Sequence, residues 1–306
     1  MNKIAVIGGS GFIGAHTVIE LKNAGYDVTV LDITPPKIEG VDFKYCNIKY
    51  QERVDECFRI GEYDAVYCLA GIIFARDCSA DPENAFDTNI RGLKNVLNSC
   101  VKYKVKRLLF SSTVHAYENC NPSYLTVDED TPLSTNINTN LYISSKIIGE
   151  QLVRCYNAEY GLSYTIFRYG VAYGINGHAN SVINAFLNNA VCGVPVKIYG
   201  SGTSTRNYLY VTDHARGNVS GLLTAAENKV INLDSDETIS TLELVDIIKD
   251  VIKKDITIEY AGARKNDYNG RMVNCDKALD VLKWQPMVSL RQGIAKMYNH
   301  MLYHNC

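Results

Sequence analysis

A tyrosine and a lysine four residues apart carry the most specific chemistry in this sequence. Tyr142 and Lys146 fall in a stretch of helical periodicity near residues 140–160, and a spacing of four places both side chains on one face of a helix. A free phenol has a pKa of about 10 and is a poor base at neutral pH. A neighbouring ammonium favours the phenolate and lowers that pKa, so the pair predicts a general base. Taken alone, the spacing is also common on exposed polar faces.

Hydroxyl side chains follow an apolar run upstream of this pair. The run that begins at Leu108 is typical of a buried strand and ends in Ser111, Ser112 and Thr113. The carboxyl ends of parallel strands line the crevice in which ligands bind, so these hydroxyls are candidates to assist the base. The alternative is that they only cap the following turn.

Three glycines near the N-terminus predict a dinucleotide site. Gly8, Gly11 and Gly14 lie between an apolar strand and an amphipathic helix, where glycine permits a tight turn and a close approach of backbone N–H groups to a pyrophosphate. Asp32 ends the next strand, and its carboxylate can accept hydrogen bonds from both ribose hydroxyls. No arginine or lysine stands at positions 33–36 to meet a 2′-phosphate. NAD is therefore predicted in preference to NADP.

The fold class predicted from hydrophobic periodicity is α/β. Strand candidates alternate with helical stretches in the first half, which indicates a Rossmann-type doubly wound parallel sheet. The strand candidates are Lys3–Gly8, Val28–Asp32, Ala65–Leu69, Arg107–Ser111 and Ser163–Arg168, and the helical stretches lie near 12–24, 51–60, 83–103 and 140–160.

After residue 170 the elements become shorter, with helical periodicity at 241–253 and 289–303. This pattern predicts a smaller C-terminal substrate-binding α/β lobe. The expected division is residues 1–168 for NAD binding, with a returning segment near 208–235, and residues 169–207 and 236–306 for the substrate lobe.

Composition narrows the possible partners. The chain has 306 residues, 46% of them hydrophobic, and a net charge of −2, so neither a nucleic acid nor a membrane partner is expected. The ten cysteines contain no C-x-x-C pair. They predict small buried thiols in a reducing, cytoplasmic compartment, and no metal site.

Several segments together resemble the extended short-chain dehydrogenase/reductase family, in its NAD-dependent nucleotide-sugar epimerase/dehydratase branch. The resemblance runs nearly end to end. It includes GGSGFIG at 8–14, DPENAFDTNIRGLKNVLNSC at 81–100, FSSTVHAY at 110–117, FRYGVAYG at 167–174 and IYGSGTSTRNYLYVTDHARG at 198–217.

The resemblance implies roles for individual residues. Thr113, Tyr142 and Lys146 match the catalytic set, and Thr113, Tyr199, Arg206 and Arg264 are implied to bind the substrate, with the two arginines on its diphosphate. The implied cofactor-binding residues are Gly8, Gly11, Phe12, Ile13, Gly14, Asp32, Asn47, Ile48, Leu69, Ala70, Gly71, Asn89, Ser111, Tyr142, Lys146 and Tyr169.

The activity that the resemblance implies is 4-epimerisation of a nucleotide-sugar of the UDP-glucose/galactose type, through a transient 4-keto sugar. A 4-keto-sugar reductase or dehydrogenase that uses NAD(P) remains an alternative, as does a catalytically silent NAD(H)-sensing protein. A homodimer is expected through the helices at 83–103 and 140–160.

Some residues depart from the family pattern. Val171 replaces an asparagine, Glu118 replaces a glycine and Asn207 replaces an aspartate, while residues 72–74 are apolar where many relatives are polar. The base, the sugar, the direction of flux and the roles of His115 and Glu118 stay open.

Overall fold

A seven-stranded parallel sheet forms the centre of the molecule, whose computed structural model describes residues 1–118, 120–121, 123–134, 140–262 and 270–304. The strands are β1 (Lys3–Ile7), β2 (Asp27–Asp32), β3 (Asp42–Tyr45), β4 (Ala65–Cys68), β5 (Arg107–Thr113), β6 (Thr126–Val127), β7 (Ser163–Tyr169), β8 (Val171–Tyr173), β9 (Val196–Tyr199), β10 (Thr205–Tyr210), β11 (Lys229–Leu233), β12 (Thr238–Ser240), β13 (Ile258–Ala261) and β14 (Met272–Val273). The order in the central sheet is β11-β7-β5-β4-β1-β2-β3, which is the doubly wound arrangement that the sequence predicts.

Helices cover both faces of this sheet. The α-helices of the described residues are α1 (Phe12–Asn23), α2 (Gln51–Gly61), α3 (Ala75–Ala80), α4 (Pro82–Phe86), α5 (Leu93–Lys102), α6 (Leu141–Tyr160), α7 (Val182–Cys192), α8 (Val211–Ser220), α9 (Thr241–Ile252), α10 (Asp276–Leu282) and α11 (Leu290–His304). Of these, α7, α9 and α11 pack in the second lobe instead. Successive residues of β1 belong to opposite hydrophobic clusters, with Ala5 and Ile7 on one face and Ile4 and Val6 on the other. A strand buried on both faces reads as a continuous apolar run, which is why these strands were predictable.

Two predicted elements differ from the structure in detail. Strand β5 continues beyond Ser111 to Thr113, because Ser112 and Thr113 pair with the last residues of β7. The helical stretch near 83–103 is divided into α4, a π-helical segment at Asp87–Gly92 and α5. Interruptions of this kind are frequent at functional sites.

The second lobe is built from short strands and three helices. Strands β8, β10 and β12 form one sheet, and β9 pairs with β13. Side chains of α7, α9 and α11 pack against these strands in a separate hydrophobic cluster. The smaller α/β lobe expected from the sequence is therefore present.

The chain returns to the large sheet twice. Strand β11 pairs in parallel with β7, within the returning segment expected near 208–235. Ala278, Leu282 and Trp284 also pack in the large-sheet cluster, and the Trp284 indole N–H donates to the Asp213 carbonyl at 2.9 Å. This second return was not predicted, and the division into lobes otherwise stays a prediction. Among the described residues, the helices lack the length and apolar character needed to span a bilayer.

Candidate active site

The glycine turn after β1 is shaped by contacts that leave no room for side chains. Gly8 has φ +81°, and a Cβ there would lie 2.6 Å from the Ala70 nitrogen. A Cβ on Gly14 would lie 2.0 Å from the Gly8 carbonyl oxygen. Gly11 is the N-cap of α1, and the first turn of this helix, which begins with Phe12 and Ile13, contains no acidic residue. The helix N-terminus therefore presents free N–H groups and positive dipole charge to an anion.

Asp32 lies at the end of β2, beside this turn. Its Oδ2 accepts a hydrogen bond from the Ser10 N–H at 3.0 Å, and its Oδ1 accepts one from the Ile33 N–H at 2.7 Å. The carboxylate thus ties the glycine turn to the end of β2 while remaining partly exposed. Its contact with a ribose stays a prediction.

The residues expected around the adenine and nicotinamide lie after β3 and β4. The Asn47 side chain accepts from the Lys49 N–H at 3.1 Å, and the Ile48 carbonyl accepts from Asn95 at 2.8 Å. Leu69 and Ala70 both donate their N–H to the Ile7 carbonyl, at 2.9 and 3.1 Å. These bonds hold the predicted cofactor residues at the carboxyl edge of the sheet.

Asn89 uses its side-chain amide within the protein. Its Oδ1 accepts from the Ile72 N–H at 2.8 Å, and its Nδ2 donates to the Ile72 carbonyl and to Ser145 Oγ, both at 3.0 Å. A Cβ on Gly71 would lie 3.1 Å from the same Oδ1. Asn89 therefore ties the loop after β4 to α6 and positions the site, and a direct contact with the cofactor stays a prediction.

The predicted catalytic residues meet at the carboxyl end of β5. Thr113 is buried there, and its hydroxyl lies near enough to the phenol of Tyr142 to oppose the rise of that group's pKa. Asn140 caps α6 by accepting from the Ile143 N–H at 3.0 Å, which fixes Tyr142 in the first turn of that helix. Proton transfer between a substrate hydroxyl, Tyr142 and Thr113 is therefore geometrically available.

Lys146 lies one helical turn beyond Tyr142, 5% exposed. Its Nζ donates to the Ser111 carbonyl at 2.7 Å and to Ser111 Oγ at 3.3 Å. Burial of the ammonium lowers the pKa of Lys146 to about 8.

The expected lowering of the tyrosine pKa by this lysine is not found in the protein alone. Burial raises the pKa of Tyr142 to about 12, and the nearby Thr113 hydroxyl only partly opposes that rise. The Lys146 ammonium donates to the Ser111 carbonyl, and burial remains the largest influence on the phenol. An additional positive charge is needed before Tyr142 can act as a base near neutral pH.

A buried ionic network under this site was not predicted. Glu150 and Arg168 form a two-pronged ion pair with bonds of 2.9 and 2.8 Å, and both side chains are 2% exposed. Ser112 donates to Glu150 at 2.6 Å, and Arg168 donates to Tyr117 at 2.8 Å. The network joins β5, α6 and β7. One signal was available in the sequence, because Glu150 follows Lys146 by four residues on the same helical face.

The predicted substrate residues lie on the second lobe. Arg206 is on β10 and donates to the Thr205 carbonyl at 2.7 Å. It is close enough to the turn after Thr113 for its charge to affect the pKa of His115 and of Glu118. Tyr199 ends β9 with its ring 37% exposed, and its contact with a base stays a prediction. Arg264 lies outside the described residues.

Comparison with known proteins places this geometry in a family. A family model described as the NAD dependent epimerase/dehydratase family matches residues 4–234. The chain belongs to this family. The resemblance seen in the sequence is thereby confirmed, as are the doubly wound fold and NAD as the cofactor.

Individual relatives agree along the whole chain. A Methanocaldococcus jannaschii protein with the provisional name of a UDP-glucose 4-epimerase is 31% identical over 99% of both chains. The solved UDP-glucose 4-epimerase of Thermotoga maritima, with UDP-glucose, is 29% identical over 100% of both chains, with a TM-score of 0.93. That of Thermus thermophilus, with NAD, is 27% identical, with a TM-score of 0.90, and the match covers 98% of this chain and 99% of the other.

The site of this family member suits the dinucleotide. The glycine turn brings unobstructed backbone N–H groups to the start of α1, and the carboxyl ends of β1, β4 and β5 meet beside it. Tyr169 completes this edge, with its hydroxyl donating to Asn218 Oδ1. That bond occupies the phenol, so any contact of Tyr169 with the cofactor has to use its backbone or ring face.

Two of the departures from the family pattern, Val171 and Asn207, are accommodated inside the second lobe. Val171 lies on β8 and pairs with Tyr208. The Asn207 amide accepts from Thr238 at 3.0 Å and donates to the carbonyls of Ser235 and Arg271 at 3.4 and 3.3 Å. Asn207 thus holds β10 in place, immediately beside Arg206.

Proposed function

We propose that this enzyme is a nucleotide-sugar 4-epimerase that interconverts UDP-glucose and UDP-galactose or a closely similar pair, with NAD retained through the cycle. The observation that carries the proposal is the group Thr113, Tyr142 and Lys146, assembled at the carboxyl end of β5 beside the glycine turn. The names of its relatives support the substrate class.

The protein's own groups handle the proton. When bound, oxidised NAD supplies a hydride acceptor and a positive charge beside Tyr142. Tyr142 as the phenolate then accepts the proton of the sugar 4-hydroxyl, while Thr113 hydrogen-bonds the same oxygen. The resulting 4-keto sugar turns over in the cleft and is reduced on its opposite face, and Tyr142 returns the proton. Lys146, anchored on Ser111, is placed to hold the nicotinamide ribose.

The second lobe supplies the residues that bind the nucleotide part of the substrate. Arg206 lies across the cleft from Thr113, and a guanidinium suits a diphosphate because it offers several donors in a fixed plane. Arg264 and Tyr199 are assigned to the diphosphate and the base on the family match alone. A sugar held between Arg206 and Thr113 would have its anomeric end on the second lobe and carbon 4 at Tyr142.

The proposal is tested by incubating the purified protein with UDP-glucose and no added cofactor. We expect UDP-galactose to form and denaturation to release NAD in near-stoichiometric amount. Turnover that requires one added NAD(P)H for each product would favour the reductase alternative. NAD binding without any conversion of a nucleotide-sugar would favour the sensing protein.

We also infer a cytoplasmic homodimer. The buried free thiols Cys46, Cys57, Cys68 and Cys100 suit a reducing compartment. The outward face of α6 carries Ile148 at 42% exposure, together with an exposed Cys155, next to α5. Phe86, in the preceding helical stretch, is 47% exposed, and exposed apolar side chains on both stretches support pairing with a second copy.

A further inference from the structure

The segment between β8 and α7 reaches from the second lobe to the large sheet. It begins at Gly174, directly after β8, and ends at Ser181, the N-cap of α7, and both of those elements pack in the second lobe. Two of its residues nevertheless contact aromatic side chains at the dinucleotide-binding edge of the large sheet. Residues 175–178 are called the strap below.

The first contact is made by Gly177 at the start of α1. A Cβ on Gly177 would lie 3.3 Å from Phe12 Cζ and 3.0 Å from the Gly174 carbonyl oxygen, so this part of the strap lies closely against the phenylalanine ring. Phe12 is the first residue of α1, and the N-terminus of that helix presents free N–H groups to an anion. The strap therefore passes beside the end of the site at which the pyrophosphate of the cofactor is expected.

The second contact joins His178 to the loop after β4. The centroid of its ring lies 5.1 Å from that of Phe74, at an interplanar angle of 79°, which is the edge-to-face arrangement that ring pairs prefer. Phe74 is one of the apolar residues 72–74 that depart from the family pattern. A Cβ on Gly71, in the same loop, would lie 3.7 Å from Lys146 Nζ. The strap therefore ends on a loop that also borders the catalytic lysine.

Hydrogen bonds fix the backbone on both sides of the ring pair. The His178 carbonyl accepts from the Ser181 N–H at 2.9 Å and from Asn184 Nδ2 at 3.1 Å, which anchors the strap on the first turn of α7. The Phe74 carbonyl accepts from the Asp77 N–H at 3.0 Å, at the start of α3. The two rings are therefore positioned independently, one from each side of the cleft.

We propose that the strap closes over the bound dinucleotide and that the contact between Phe74 and His178 slows its release. The strap spans the carboxyl edge of the sheet from the start of α1, which follows β1, to the loop after β4, and β1 and β4 are neighbours in the sheet. A cofactor that lies across this edge, from the glycine turn to Lys146, is enclosed between the sheet and the strap. Closing loops of this kind often set the rate at which a bound molecule leaves.

The inference deepens the proposed function, because it gives the retention of NAD a structural cause. Its test, however, needs only the binding of the cofactor. Protein loaded with NADH is mixed with excess NAD, and the loss of NADH fluorescence gives the rate constant for release.

Single substitutions remove one ring of the pair at a time. Phe74→Ala and His178→Ala should each raise the rate constant for NADH release roughly threefold to tenfold, the effect of losing one aromatic contact. His178→Phe keeps a ring at this position and should stay within about twofold of the wild type. Because His178 is exposed, its substitutions leave the hydrophobic clusters intact.

A double variant distinguishes a shared contact from two separate effects. If both rings act through the same contact, Phe74→Ala combined with His178→Ala should release NADH little faster than the faster single variant. Increases that multiply in the double variant would overturn the inference.

Tyr160→Ala is the matched control. It removes one ring of the Tyr156–Tyr160 pair, whose centroids are 5.2 Å apart, at the opposite end of α6 from Tyr142, and should leave the release rate unchanged. Wild-type release rates in both single variants, or an equal increase in the control, would overturn the inference and leave the epimerase proposal to its own assay of product formation. Normal NADH retention without any conversion of a nucleotide-sugar would contradict the proposed function and leave the strap standing.

Discussion

The buried environment of Tyr142 favours the neutral phenol over the phenolate. Burial raises the pKa of Tyr142 to about 12, so the phenolate becomes available only when positive charge is bound beside it. The chemistry is thereby coupled to occupation of the cofactor site. A neutral phenol also avoids an uncompensated buried charge.

Replacing Tyr142 with phenylalanine tests this assignment. The ring remains and only the hydroxyl is lost, so NAD binding should survive. Turnover should fall by roughly 10²–10⁴, the range typical of a general acid–base group. Thr113→Val should cost less, because Thr113 assists the same proton. The measurement is a progress curve for epimerisation, with NAD content determined on the same samples. A phenylalanine variant with near-normal turnover would contradict the assignment of Tyr142 as the general base.

Asp32 has two separable roles, one as a hydrogen-bond acceptor and one as a negative charge. Asp32→Asn keeps an oxygen for the Ser10 N–H and removes the charge that repels a 2′-phosphate. Its preference for NADH over NADPH should fall by roughly tenfold, or about 1.4 kcal/mol. Asp32→Ala should also relax the preference, but it loses the bond that holds the glycine turn. Fluorescence titrations give both constants, and tighter binding of NADPH than NADH by the wild type would refute the assignment.

Among the elements, the strands that are buried on both faces are those that the sequence predicts most directly. Strand β1 is apolar and buried after Lys3, and β5 is buried throughout around the apolar run Leu108–Phe110, so their signal does not depend on the rest of the fold. Strand β3 is largely exposed at the sheet edge, and its sequence Asp-Phe-Lys-Tyr carries no apolar run. It forms a strand because it pairs with β2, and hydrophobic periodicity cannot predict such a tertiary contact.

The site residues likewise fall into those that local sequence predicts and those whose contacts only the fold reveals. Glycines, the Tyr142–Lys146 spacing and Thr113 are local signals, and the structure brings them to one edge of the sheet. The ion pair of Glu150 with Arg168 joins residues 18 positions apart, and nothing in either segment alone names the other as its partner. The hydrogen bond from Lys146 to the Ser111 carbonyl is likewise invisible in the sequence, as is the burial that raises the pKa of Tyr142.

The Glu150–Arg168 pair stabilises the junction of three elements. Arg168→Met leaves the buried Glu150 carboxylate with only the longer ion pair to Arg154, at 3.9 Å, and breaking a buried pair costs about 3–5 kcal/mol. We expect the free energy of unfolding in urea to fall by about that amount. Arg53→Met, which breaks the exposed pair of Arg53 with Glu56, should change it little. Equal changes in the free energy of unfolding for the two variants would show that the buried pair contributes no more stability than the exposed one.

At the scale of the whole molecule, the two lobes are interleaved along the chain. Strand β11 and the segment around Trp284 pack on the large sheet after the chain has already built much of the second lobe. Arg206 lies on β10, which leads directly into α8, and Asn218 of α8 donates to Thr17 of α1 at 2.8 Å. This connection means that the fold itself sets the position of β10, and so of Arg206, relative to the large sheet.

The expected homodimer is the last property of the whole molecule to test. Ile148 is 42% exposed on α6, and Ile19 is 40% exposed on α1. Ile19 therefore provides a control of the same residue type and similar exposure on a different face. A lysine at the centre of an apolar interface would have to be buried without a partner, which strongly disfavours association. Ile148→Lys should therefore convert the dimer to a species of one chain, 34.1 kDa, in equilibrium sedimentation. Ile19→Lys should leave the mass at twice that value. A wild type that sediments as a single chain at micromolar concentration would refute the dimer, and an Ile19→Lys variant that alone dissociates would place the interface on α1 instead.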